Sequence, residues 1–324
     1  MTSSELIHAL PAFVDLLALV FLSGTTVSLA FILLPVRTIE AERLRLLLLR
    51  WFVLSIVLSL IAAVFVLAQK TVEMSAQNLH ALTRLLPVVL LDTHYGIVWI
   101  MWIATLSVLG LAAWRCNRTK NLRPFIALAC IGVTVLAWTH SASGHAADSG
   151  DFTLKQCIDG LHILAGTLWL GALTIFILGV APALRDKPAG DALFVILLQR
   201  LSRLALVAFV IVLGTGLYNL KQHIRTLAIL WQQPYGEILT LKLVLVTGML
   251  LLAIVMRYCN MPRLQHNSSS EKLRASNSKV TDVVADSSRG RLLHRVKRLL
   301  LLEAILGIGV IYLVAMLTHE MPPI

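Results

Sequence analysis

Charge is sparse in this sequence: Asp, Glu, Lys and Arg together make up 14% of its 324 residues. Soluble domains carry charge at about a quarter of their positions, so a water-facing fold is excluded. Cysteine is scarce too, with four residues and no CxxC pair. Cys116 and Cys259 fall on one side of the topology derived below, Cys130 inside an apolar run and Cys157 alone on the other side. Neither a disulfide framework nor a thiolate metal site follows from that spacing. The sequence also has no GxxxxGK[ST], no HExxH, no GxSxG and no repeat of clear period. These absences argue against an ATP-driven pump and an intramembrane metalloprotease.

What is present is apolar. Hydrophobic residues make up 58% of the chain, and mean hydropathy is +0.82. A hydrocarbon core of roughly 30 Å needs about 20 apolar residues per helix. Eight such runs occur, near residues 12–35, 47–68, 93–114, 124–140, 157–181, 202–220, 238–258 and 299–318. All are expected to be α-helices, because in lipid each backbone polar group must be satisfied within its own segment. The fold class is therefore all-α, a polytopic membrane helical bundle of about eight transmembrane helices, with residues 1–324 as one bundle. The first run starts too far in, and is too hydroxyl-rich at its centre, for a cleaved signal peptide, so it is read as a retained helix.

Of the 28 Lys and Arg residues, 22 fall in the segments after the first, third, fifth and seventh runs. Lys70, Arg84, Lys155, Lys221 and Arg225 are on the opposite side, and Lys242 lies within the seventh run. Positive charge stays in the cytoplasm, so both termini should face outward. The net charge of +11 is then a matter of topology beside an anionic leaflet, and no nucleic-acid partner is implied. The stretch 260–298 is polar and serine-rich and reads as a flexible cytoplasmic loop.

Eight of the ten histidines lie on the side away from the arginines. His94 begins the third run and His140 ends the fourth. His145 follows in the polar stretch "THSASGHAADSGD", whose small residues should let it fold over the opening. His162 lies within the fifth run, roughly 8 Å below Cys157 at 1.5 Å per residue. Asp159, His162, Gly166 and Trp169 share one helix face, and Asp159 is placed to orient a metal-bound His162. Ionisable residues inside a membrane normally face the bundle interior, which draws in Asp15, Glu237, Lys242 and Glu303 as well. Five residues separate Glu237 from Lys242, so they are not a same-face pair. Met74, Met101 and Met321 could offer thioethers to Cu(I), although single methionines in membrane helices usually pack.

The run "GHAADSGDFTLKQCIDGLHILAGTLWLGAL" resembles the signature of the copper resistance D (CopD/PcoD) family. "VLGTGLYNL", "PYGEILTLKLVLV" and "LLEAILGIGVIYLVAMLTHEMPPI" are similar to its later helices, so residues 140–324 form the CopD-like region. "DTHYGIVWIMW" is similar to an earlier helix, with Trp102 where that pattern suggests Arg. The resemblance implies a multi-pass protein of the bacterial inner membrane that moves copper from periplasm to cytoplasm, often with a small periplasmic copper-binding protein, CopC-like, as partner. Carried over by motif, its candidate residues are His145, Asp159, His162, Trp169, Glu237, Lys242 and Glu303.

Three readings of the histidines stay open. In the first, His94, His140, His145 and His162, with Asp159, form a copper site at the outer mouth. In the second, His94 with His162, or His140 with His162, holds a haem b in an electron carrier or copper reductase. In the third, a scaffold or sensor subunit binds nothing through them. The topology itself is testable. A reporter active only in the cytoplasm should be silent when fused at Ile324 and active in the loop after Met261. Activity at Ile324 would reverse the bundle and move the histidines to the inner side.

Overall fold

The computed structural model describes residues 9–33, 36, 38–75, 82–148, 150–184, 190–223, 233–263 and 282–318. Nine long or medium helices form the chain among these residues: α1 Leu10–Val27, α2 Ile39–Ser75, α3 Leu82–Asp92, α4 His94–Thr119, α5 Leu122–Ala142, α6 Leu154–Ile175, α7 Gly190–His223, α8 Pro234–Val255 and α9 Asp282–Leu317. Eight of them are long and apolar enough to cross a membrane, α3 being the exception. The protein is thus a polytopic helical bundle, as its hydropathy requires.

The helices outrun the apolar segments that mark them. α2 spans 37 residues and α7 34, because hydropathy senses only the part in hydrocarbon while the backbone ladder continues into polar flanks. α3 carries Arg84 and Pro87 and has no apolar run of spanning length. α9 begins at Asp282, inside the stretch expected to be a loop, and α8 continues through a π turn, Met256–Asn260. The expected loop 260–298 is accordingly narrower, and residues 264–281 lie outside the described part.

α1 is the centre of the packing and touches α2, α5, α6 and α9. α6 lies beside it and also contacts α5, α7 and α9. Gly24 of α1 and Gly171 of α6 make this possible. A Cβ on Gly171 would sit 2.2 Å from the Val20 carbonyl oxygen, and one on Gly24 would sit 2.3 Å from Gly171 backbone atoms. Without hydrophobic driving force in lipid, helices associate through such close backbone approach at small residues. The hydroxyls beside Gly24 do not disturb the contact. Thr25 donates to the Phe21 carbonyl at 2.8 Å and Thr26 to that of Leu22 at 2.7 Å, so each is satisfied within α1.

At the opposite end from His94 and His140, π turns close three helices: Ser28–Leu33 after α1, Phe176–Val180 after α6 and Met256–Asn260 after α8. A helix end leaves carbonyls without intrahelical donors. Arginines supply donors to the first and to a neighbouring helix. Arg200 reaches the Ile32 carbonyl at 2.8 Å, Arg45 those of Leu33 and Val36 at 3.0 and 2.6 Å, and Arg257 the Ser202 carbonyl at 3.2 Å. α8 packs chiefly on α9, and only 6% of its apolar window is buried within the chain.

Replacing Gly171 by Ala should destabilise the bundle by about 2 kcal/mol, since a backbone carbonyl cannot step aside. A Cβ on Gly214 meets nothing within 4 Å, so Gly214→Ala should be neutral or mildly stabilising. Thermal unfolding in one detergent checks both. Equal midpoints for the two variants would remove the α1–α6 contact from its central place.

Candidate functional site

A carboxylate placed one turn inside an apolar helix must find a partner, because an unpaired buried charge is prohibitive. Asp15, 4% exposed in α1, meets His140 near the end of α5. Its Oδ2 lies 2.5 Å from His140 Nε2, and its Oδ1 accepts from the Ser59 hydroxyl of α2 at 2.9 Å. His140 Nδ1 bonds the Leu136 carbonyl one turn back, at 2.8 Å. Trp102 of α4 packs edge-on against the imidazole, centroids 5.3 Å apart. Four helices therefore converge on one His–Asp pair, and His140 has both ring nitrogens occupied.

His94 and His145 lie at the same end of the bundle but on its surface. His94 opens α4 behind the Thr93 cap, whose Oγ1 accepts from Gly96 N at 3.1 Å, and its Nε2 sits 2.9 Å from Asp151 Oδ2. His145 opens a 3-10 turn, His145–Ala147, with Nδ1 3.3 Å from Asp148 Oδ2. Both imidazoles are about half exposed.

The polar stretch that joins α5 to α6 is pinned as well as small. Buried Gln156 accepts from the Phe152 N–H through Oε1, donates to Asp151 Oδ1 at 3.4 Å, and offers its carbonyl to Ser141 at 3.1 Å. Phe152 takes φ 58° and Gly150 φ 102°, and the Phe152 ring stacks on Trp138 with centroids 5.0 Å apart. Sequence spacing revealed the histidines here but gave no hint of Gln156, which reads as an ordinary first-turn residue.

Deeper, α6 turns two polar residues towards α7. His162 Nδ1 is 2.9 Å from Thr215 Oγ1, and Thr215 in turn donates to the Ile211 carbonyl at 2.6 Å. A hydroxyl has one proton, so the imidazole N–H is the donor at Nδ1 and the lone pair is on Nε2. Gly216 makes the room: a Cβ there would stand 3.2 Å from His162 Cε1. Asp159 accepts from Asn219 at 2.9 Å, with Tyr235 and Lys242 of α8 within electrostatic reach of it. Asp159 and His162, expected to act as a pair along one helix face, thus each bond across to α7. The "GTGLYN" motif supplied both partners, Thr215 and Asn219, and hydroxyl and amide groups within an apolar run were the signal for them.

The other expected residues take separate places. Glu303 is 4% exposed in α9, with the Trp169 indole of α6 as its polar neighbour. Glu237 is exposed in the first turn of α8, where a carboxylate complements the helix dipole. Met74 and Met101 are exposed, and Met321 lies outside the described residues. Among the described residues no three His, Cys, Asp or Glu side chains gather as a metal site. The four histidines instead sit in separate pairings, on Asp151, Asp15, Asp148 and Thr215.

The family model for "Copper resistance protein D-like, N-terminal domain" matches residues 3–153, and that for "Copper resistance protein D" matches residues 195–317. A curated relative, "Copper transport protein CutJ" of Bacillus subtilis (strain 168), is 28% identical over 169 residues, which is 51% of this chain and 31% of the relative. The match thus spans about a third of that relative's length. No solved structure matches the chain. With one family model on each half of an eight-span bundle, the chain belongs to the copper resistance D family.

Proposed function

We propose that the protein carries copper inward across the bacterial inner membrane, taking it at the end of the bundle that bears His94 and His145. A role in copper homeostasis follows from the family; the direction and the site are our reading. The observation that carries the site is the state of the imidazoles. His94 and His145 each stand half exposed beside a carboxylate, and His162 lies further in with its Nε2 lone pair unused by Thr215. Imidazole and carboxylate suit copper arriving from water, and imidazole suits Cu(I) as well. His94 and His145 would receive the ion, from solution or from a small CopC-like periplasmic protein, and His162 would take it at depth. Asp159, beside Lys242, balances charge there. His140, with both nitrogens engaged, is left out of this ligand set. Both termini are outward in this scheme.

Copper bound to the purified protein tests it. His162→Ala should lose most of the deep-site copper with the fold intact, and His145→Ala should lose less, since water can substitute on an exposed turn. Asp159→Asn should fall between them, since this carboxylate bonds Asn219 and not His162 and contributes charge near the site rather than a bond to the ligand. Full occupancy in His162→Ala would make that residue a packing histidine and sink the site. A Soret band in the parent would favour haem b on histidine pairs and an electron carrier over a copper carrier.

A further inference from the structure

We propose that the Asp15–His140 pair is a proton-binding site that exchanges one proton with the aqueous phase at the histidine end, and that copper movement is coupled to this proton. The coupling rests on the transport reading above; the proton site does not.

The hydrogen-bond inventory around His140 requires a shared proton. A carbonyl oxygen can only accept, so His140 Nδ1 must carry the hydrogen that it gives to Leu136, 2.8 Å away. That leaves Nε2 facing Asp15 Oδ2 at 2.5 Å. Two lone pairs do not make a hydrogen bond, so this contact holds one proton between the nitrogen and the oxygen. The pair is then either imidazolium with carboxylate or neutral imidazole with carboxylic acid. Both forms hold the same single proton and the same net charge.

Loss of the proton changes the geometry. A lone pair would then face a carboxylate in surroundings where bare charges are weakly screened, and the contact opens. Asp15 keeps the Ser59 donor on Oδ1 at 2.9 Å, so it stays with α2 while α5 is released. The helix that feels this is α1, which touches α2, α5, α6 and α9. A protonation event at Asp15 thus acts on the element through which the rest of the bundle is packed.

The surroundings provide little to replace the proton. From α4, Trp102 lies on the imidazole, an aromatic ring in place of a cation, and Tyr95 is within electrostatic reach of Asp15. From α2 come Ser59 and, nearer to Tyr95, Glu73, which is bridged by Lys70 at 3.2 Å. α9 brings Tyr312 against Phe13, two residues before Asp15, and α6 brings Gln156, whose carbonyl takes Ser141 beside His140. Among the described residues no lysine or arginine pairs with Asp15, and its ion-pair partner is His140. His140 is two residues from the end of α5 and its side chain is 14% exposed, which gives the proton a short way to water.

Infrared difference spectra of the full chain in lipid, taken between about pH 5 and 9 where imidazole titrates, test the site directly. The parent should show carboxyl and imidazole bands that change with pH; Asp15→Asn should remove the carboxyl component, and His140→Gln should shift what remains. In vesicles loaded with a copper chelator dye and a pH dye, Cu(I) entry into the parent should vary several-fold across the same range, with a matching proton signal. Entry into Asp15→Asn should be flat with pH. Melting profiles of both variants confirm that they are folded, and Asp15→Asn retains the shape and a hydrogen bond to Ser59. Spectra that do not change with pH overturn the proton site, as do bands that persist unaltered in both variants. A pH profile that is the same in Asp15→Asn and the parent overturns the coupling. A parent that titrates but moves no copper refutes the transport reading and the coupling with it, while the titration still upholds the proton site.

Discussion

The approach of Gly24 to Gly171 is the contact on which the bundle depends. Nothing in lipid drives helices together as water does, so two backbones must come close enough for dispersion and weak polar contacts to hold them. With α1 locked against α6 in this way, α2, α5 and α9 pack around α1, and α7 packs on the other side of α6. A side chain larger than hydrogen at either glycine would strike backbone. The two most deeply packed helices are therefore joined at a point where any side chain meets backbone.

That arrangement also determines which polar groups can meet. Asp15 points from α1 into the place where α2, α4 and α5 come together, and it finds a hydroxyl, an aromatic ring and an imidazole there. His162 and Asp159 point from α6 towards α7 and find Thr215 and Asn219. Asp15, His140, Asp159 and His162 are each answered from a different helix. Burial without an answer would cost several kcal/mol, so these cross-helix pairs also select how the helices are rotated. At the opposite end, Arg45 and Arg200 donate to the Leu33 and Ile32 carbonyls left by the first π turn.

Much of this was legible along the chain. Length and hydropathy sufficed for eight spans, because a helix is the only way for a single segment to satisfy its backbone in lipid. The short α3 was not visible, since Arg84 and Pro87 interrupt its apolar character, and neither was the reach of α9 back to Asp282, since polar helical residues look like loop when no membrane contrast marks them. Of the candidate residues, their types and their common end could be read, as could the shared face of Asp159 and His162.

Their partners could not. Spacing within a helix says which way a side chain leaves the axis, but the group it meets belongs to a helix tens of residues distant. His140 shows the difference: the sequence placed it beside His145 and suggested a ligand, whereas packing set it against Asp15, 125 positions away. The sequence by itself determined the solvent, the number of spans and the end at which the histidines collect, because these follow from local composition and the thickness of a bilayer. Only the tertiary structure decided which group each imidazole meets, because that depends on the rotation and close approach of helices that no local pattern encodes.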